Sequence, residues 1–326
     1  MSKKSRFLKH TGCKDPIICG AMYPCSNPEL VAAVSKAGGI GIIQPLSLVF
    51  VHGYPFKEGL QYILKLAEGR PVGLNVIVEK SSKKYEQRMK KWVDEAIELG
   101  VRFFVTSLGN PRWVVDKAHA AGGFVYHDIT ERKWAEKALK ANVDGLIAVN
   151  NRAGGHAGEK SAKDLYAQLE PLGVPIICAG GVSTSQDVKE AFSTGYEGVQ
   201  LGTRFIASLE CNAHKDYKQA IVEATEEDIV LTEKISGVPV SVILTEALKK
   251  MGTKAGPIAK LLLRNKKTKH YMRMFYTMLS IFQLKKAHLK GSNYKDYWQA
   301  GKSVAGVNQV QSVEEIMAAL RVGCGS

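Results

Sequence analysis

Eight short apolar runs, each followed by a segment with helical signals, fill most of residues 16–204 and leave few folds open. The candidate strands are Pro16–Met22, Gly39–Ile43, Val72–Val78, Phe103–Ser107, Phe124–Ile129, Gly145–Asn150, Pro175–Val182 and Gly198–Arg204. Their residues are continuously apolar rather than alternating, the pattern of parallel strands buried on both faces. Between them, Asn27-Pro28 and Asn110-Pro111 place a good N-cap before a proline at the first helical position. Ser183-Thr-Ser-Gln186 has capping-box spacing. Helix stops fall at Gly38, Gly100, Gly122, Gly173 and Gly195. Met89, Trp92, Val93, Ala96 and Ile97 recur at three- and four-residue spacing, giving one apolar helix face.

Eight strand-then-helix units within about 200 residues predict an α/β fold of the (β/α)8 TIM-barrel type. An open doubly wound sheet is the rival, but the first turn, Gly20-Ala-Met-Tyr-Pro24, lacks the GxGxxG pattern of a dinucleotide-binding sheet. The rhythm breaks after Glu210. Residues 1–210 are therefore expected to form the barrel, and 211–326 a mainly helical C-terminal subdomain packed on it. In that part Tyr271-Met-Arg-Met-Phe-Tyr-Thr-Met-Leu-Ser-Ile-Phe282 is apolar without a single-face period, and Ser312–Leu320 reads as an amphipathic helix. The apolar stretch reads as subdomain packing. The alternatives are a cover for the barrel mouth, a dimer contact and a membrane-surface contact.

The net charge of +14 raises the question of nucleic acid or anionic membranes. The lysines are scattered, and the one dense run, Arg264-Asn-Lys-Lys-Thr-Lys-His270, has no interleaved aromatics, so a solvated surface or an acidic, phosphate-bearing ligand fits better. No apolar stretch approaches the ~20 residues a membrane span needs, and no signal-peptide core follows the basic first residues, so a cytoplasmic location is expected. The six cysteines show no metal-like spacing. Cys19 and Cys178 fall in apolar strands, whereas Cys25 falls in a loop where exposure is expected.

In a barrel of this kind chemistry sits at the C-terminal ends of the strands. There the sequence puts Gly20-Ala21-Met22, Asn75, Tyr126-His127-Asp128, Ala179-Gly180-Gly181 and Gln200-Leu201-Gly202-Thr203. After the sixth strand comes Asn150-Asn-Arg-Ala-Gly-Gly-His-Ala-Gly158, a glycine-rich loop with one imidazole. Gly154 and Gly155 allow close backbone approach to a large ligand, and a histidine titrates near neutrality. His156 thus reads as a general base or hydrogen-bond donor, or as a loop-stabilising residue. His127 reads as a ligand contact or an ordinary strand-end residue. Asp128 and Glu159 are candidates to orient these imidazoles. The glycines after strands 7 and 8 resemble a phosphate cradle.

Taken in order, these motifs resemble the nitronate monooxygenase family, formerly called 2-nitropropane dioxygenases. These are FMN-dependent barrels related to the flavin-type enoyl-acyl carrier protein reductases. The resemblance rests on Pro16-Ile-Ile-Cys-Gly-Ala-Met22, Ala37-Gly-Gly-Ile-Gly41, Gly73-Leu-Asn75, Ala153-Gly-Gly-His-Ala-Gly158, Pro175-Ile-Ile-Cys-Ala-Gly-Gly181 and Leu201-Gly-Thr-Arg-Phe205, with a weaker echo at Tyr297-Trp-Gln-Ala-Gly-Lys-Ser-Val-Ala-Gly306. It implies that Gly20, Ala21, Met22 and Asn75 contact the flavin and that Gly154 and Gly155 approach it. It implies further that Ala179, Gly180, Gly181, Gln200, Leu201, Gly202 and Thr203 hold the ribityl phosphate. His156 matches the family's catalytic histidine, and His127 stands where some members carry lysine near the cofactor. The implied reaction oxidises an alkyl nitronate with O2 to a carbonyl compound and nitrite. The alternatives are an NAD(P)H-dependent reductase of an enoyl thioester or quinone, and a non-catalytic flavin or phosphate-ligand binder. No nucleic acid is expected as a partner. Use of NAD(P)H and assembly as a homodimer stay open.

Overall fold

A computed structural model describes residues 5–79, 83–233, 239–254 and 298–325. Eight parallel strands close into a barrel in sequence order, the last pairing with the first. They are β1 (Ile17–Cys19), β2 (Ile40–Ile43), β3 (Val72–Val78), β4 (Phe103–Leu108), β5 (Phe124–Ile129), β6 (Gly145–Val149), β7 (Ile176–Ala179) and β8 (Gly198–Leu201). Closure is set by register: Ile17 lies opposite Val199 and Cys19 opposite Leu201.

Alternation divides the strand residues into two cores. Ile18, Ile42, Val105, Tyr126, Ile147 and Ile177 fill the barrel interior. Their sequence neighbours, among them Ile17, Ile43, Phe104, Val125 and Leu146, pack outward in the larger core shared with the helices. Both sets are buried, which explains why the strands read as unbroken apolar runs.

A short helix before the barrel, α1 (Arg6–Thr11), closes its N-terminal end. Phe7 is fully buried in the interior cluster and meets the rings of Phe103 and Tyr126 edge-on, at 5.9 and 5.8 Å. Glu197 fixes the helix by accepting from the Arg6 backbone N–H at 2.8 Å and from its guanidinium. His10 Nδ1 lies 3.1 Å from the Tyr126 hydroxyl. This plug leaves the opposite, C-terminal end as the place for a ligand.

The outer ring contains α2 (Pro28–Lys36), α3 (Phe56–Leu66), α4 (Lys83–Glu98), α5 (Arg112–Ala120), α6 (Arg132–Leu139), α7 (Ala162–Leu169) and α8 (Ser185–Thr194). All five glycine stops named from the sequence have positive φ. Two cap readings are corrected. Asn27 makes no N-cap bond; its amide donates to Glu29 and to the Glu210 carbonyl instead. The capping box before α8 lies one residue later than expected, between Thr184 and Asp187.

After β8 comes only a single helical turn, α9 (Thr203–Ile206). The ring position next to it is taken by the last helix of the chain, α12 (Val313–Arg321), which packs against α2 and α8. Arg321 anchors it through the Asp15 carboxylate at 2.8 Å and the Ala37 carbonyl at 2.7 Å. The chain between α9 and α12 is thus an excursion from the eighth unit. It holds α10 (Lys215–Glu223), an antiparallel hairpin of β9 (Ile229–Thr232) and β10 (Val240–Ile243), and α11 (Glu246–Met251). The hairpin adds strand to a stretch expected to be mainly helical; its two strands are rich in β-branched residues, β10 being buried along its length. The basic run 264–270 and the apolar stretch 271–282 lie outside the described residues. Among the described residues no helix is long and apolar enough to cross a membrane.

Candidate functional site

The loops after β6, β7 and β8 meet at the open end of the barrel. Asn150, fully buried at the end of β6, holds two of them together. Its amide nitrogen donates to the Gly180 carbonyl at 2.9 Å, and its Oδ1 accepts from the Arg152 N–H at 2.8 Å. Gly180 and Gly181 have φ of 113° and 79°. A Cβ at Gly180 would stand 2.5 Å from Asn150 Oδ1 and 2.6 Å from the Ala153 nitrogen. Only glycine meets both conditions there.

The excursion returns across this end. The Gly155 carbonyl accepts from the Ser241 N–H of β10 at 2.8 Å. The Gly301 N–H donates to Thr203 Oγ1 at 3.0 Å, and a Cβ on Gly301 would stand 2.6 Å from the Gly154 nitrogen. Arg152 forms a two-pronged ion pair with Glu226. His156 is therefore carried by a loop braced from both sides. Its side chain reaches solvent, yet it is crowded by protein on most sides, as on the wall of a cleft. That crowding removes hydration and pushes its pKa below the ordinary 6.5, which favours the neutral imidazole.

The inner wall carries several polar side chains. Asn75, Asp128 and Gln200 alternate with outward-facing Leu74, Val125, Ile129 and Leu201, so they share the interior face with Tyr126. Asp128 Oδ1 and Gln200 Oε1 are buried and make no hydrogen bond among the described residues. Burial alone pushes the Asp128 carboxyl up to about 7. Gln200 lies over Gly20, where a Cβ would meet its side chain at 3.1 Å, and Met22 sulfur lies close to Gly202. Buried polar atoms are nearly always satisfied, so an inner wall with such orphans is built for a polar ligand.

The expected residues thus divide. Gly20, Ala21, Met22, Asn75, Ala179, Gln200 and Gly202 line or border the open end, beside Gly154, Gly155, Gly180 and Gly181. Two do not point there. His127 shares the helix-facing side of β5 with Val125 and Ile129, and its Nδ1 lies 2.8 Å from the buried Thr106 hydroxyl. Leu201 turns its side chain outward and meets the site only through its carbonyl, which accepts from the Gly20 N–H at 2.9 Å. The cradle is also narrower than the sequence implies. Asp187 accepts from the Ser183 and Thr184 N–H groups, at 2.9 and 2.8 Å, and so occupies the α8 N-terminus. An anion is left the Gly180–Gly181 and Gly202–Thr203 backbones.

Sequence reasoning missed the bracing by Ser241, Glu226 and Gly301, and gave Asp128 only an orienting role. Cys25 is buried rather than exposed, and none of the six cysteines forms a disulfide. Among the described residues no His, Cys, Asp and Glu cluster could hold a metal ion.

With this geometry in place, the comparisons are specific. The family model "Nitronate monooxygenase" matches residues 4–322. A probable nitronate monooxygenase of Staphylococcus saprophyticus is 28% identical over 296 residues, covering 77% of this chain and 81% of the relative. A (3aS,4S,5R,7aS)-5-hydroxy-7a-methyl-1-oxo-octahydro-1H-indene-4-carboxyl-CoA dehydrogenase of Rhodococcus jostii is 25% identical over 252 residues, covering 76% and 69%. FabK from Thermotoga maritima superposes with a TM-score of 0.80 at 26% identity, covering 99% of this chain and 96% of that one. A nitroalkane oxidase from Streptomyces ansochromogenes shares the fold at a TM-score of 0.76 and 20% identity, covering 98% of each chain.

Proposed function

The chain belongs to the nitronate monooxygenase family, and from that premise we propose that it is an FMN-dependent oxidoreductase converting alkyl nitronates and O2 to carbonyl compounds and nitrite. The observation that carries this reading is the inner wall: the orphaned Asp128 Oδ1 and Gln200 Oε1 face the same open barrel end that the His156 loop borders. A flavin ring offers several hydrogen-bond donors and acceptors on one edge, which suits such a wall. When bound, FMN would supply the redox chemistry, taking an electron from the nitronate and delivering it to oxygen.

The protein's own contribution is positional and electrostatic. Gly154 lets the returning chain at Ala300–Gly301 pack against the β6 loop, and Gly155, with positive φ, shapes the turn that presents His156. Gly20 and Gly202 let the Gln200 and Met22 side chains lie close over the backbone at the rim. The backbones of Gly180–Gly181 and Gly202–Thr203 would hold the ribityl phosphate. His156, kept neutral by its crowded surroundings, accepts the proton from the carbon beside the nitro group when the substrate arrives as a neutral nitroalkane. That step is worth roughly 10²–10⁴-fold in rate.

A second reading is reduction of a thioester substrate, favoured by the likeness to a Rhodococcus enzyme named for a carboxyl-CoA compound. An absorbance spectrum after FMN loading, then mixing with ethylnitronate in air, separates the two. The proposal expects a flavin spectrum, oxygen uptake and nitrite release. Flavin bleaching by NADPH under anaerobic conditions, with no reaction with ethylnitronate, would move the chain to the reductase reading. No flavin spectrum at all would end both.

A further inference from the structure

The orphaned Oδ1 of Asp128 is not explained by the fold. It sits one residue from the C-terminal end of β5, on the interior face, directly above the buried Tyr126. Register places Ile147 of β6 beside it. On the other side Thr106 pairs with His127, which puts Ser107 of β4 at its level. Neither strand offers a charged group. Along β5 itself, Tyr126 points down to the plug and His127 points outward to Thr106. Asp128 as a residue is half-buried, but its Oδ1 is buried and has no hydrogen-bond partner among the described residues, and burial is the sole cause acting on its titration. Up to about neutrality such a group keeps the acid form, which has one O–H to donate and an oxygen to accept.

Resting on the flavin reading above, we propose that Asp128 is a ligand-contacting residue whose neutral carboxyl donates a hydrogen bond to a carbonyl or ring-nitrogen acceptor of the bound flavin, so that flavin affinity depends on the proton it carries. An ionised Asp128 would instead oppose an electron-rich acceptor edge at short range and low dielectric. Asn75 and Gln200 on the same wall supply amide partners that do not titrate, so the proton dependence of the wall falls on Asp128 alone.

The test is titration of the flavin-free protein with FMN, followed by quenching of flavin fluorescence, at about pH 6 and about pH 8. In the wild type the Kd is expected to rise above neutrality, approaching about tenfold per pH unit once the carboxyl ionises. Asp128→Asn keeps a neutral donor in the same shape, so its Kd should change less over that range. The remaining slope belongs to the FMN phosphate, whose second ionisation lies near ~6 and is common to both proteins. Infrared difference spectra of the wild type, FMN-bound minus free, give a readout that needs no variant: a protonated carboxyl band should shift on binding. Equal pH slopes in the two proteins, or no carboxyl band moving in the wild type, would overturn the assignment while leaving flavin binding intact. Absence of FMN binding by the wild type at either pH would overturn the flavin reading and this inference together.

Discussion

The Asn150 amide donates to the Gly180 carbonyl across 2.9 Å, tying the loop that carries His156 to the loop proposed to carry phosphate. Asn150→Ala removes that bond and also strips the Arg152 N–H of the acceptor that the fully buried Asn150 provides. The expected loss is about 1–3 kcal/mol of stability, read by denaturant unfolding. FMN affinity should fall with it, because both walls loosen at once.

Gly180 and Gly69 give a matched pair. Both have positive φ, but a Cβ at Gly69 meets nothing within 4 Å, whereas one at Gly180 meets Asn150 and Ala153 below 3 Å. Gly69→Ala should cost only the backbone strain, about 1 kcal/mol. Gly180→Ala should cost more and abolish FMN retention on gel filtration, an outcome Gly69→Ala does not share.

Adjacent residues on β5 give stability opposite pH dependences. His127 is held down to about 4 by burial, so between 6.5 and that value the unfolded chain binds the extra proton and stability falls as pH falls. Asp128 is raised from 3.8 to about 7 by burial, so over that range the folded chain holds the extra proton and stability falls as pH rises. Each slope is at most about 1.4 kcal/mol per pH unit, and they oppose each other between about 4 and 6.5. Unfolding curves of flavin-free Asp128→Asn should therefore gain stability steeply with rising pH in that window. His127→Gln should lose it, and the wild type should be nearly flat.

The barrel was legible from the sequence because helix stops and apolar runs are local signals. Val72–Val78 and Phe124–Ile129 match the strands to the residue. The facing of strand residues was not legible, and the reason is physical. A parallel strand is buried on both sides, so Tyr126-His127-Asp128 has no polar–apolar alternation to say which residue looks inward. From sequence alone His127 is therefore as good a ligand contact as Asp128, and only the facing of β5 separates them. The bracing of Gly155 by Ser241 and of Arg152 by Glu226 joins residues about 70–90 positions apart, and no local pattern reports such pairs. Near Gly180 the sequence suggests a phosphate cradle that includes the α8 N-terminus, but the use of that N-terminus by Asp187 depends on a cap displaced by one residue.

A lowered imidazole pKa makes His156 a base to lower pH than a free histidine, so the acid limb of kcat/KM for a neutral nitroalkane should lie below 6.5. With ethylnitronate, which has already lost its proton, the same limb should be absent.

The most direct test of the account is anaerobic reduction of FMN-loaded wild type and His156→Ala by nitroethane and by ethylnitronate, followed by bleaching of the flavin absorbance. The account predicts that the variant keeps its flavin and is reduced by ethylnitronate, but is slowed roughly 10²–10⁴-fold with nitroethane. Equal rates for the two proteins with nitroethane would contradict it, because the proton would then leave without His156.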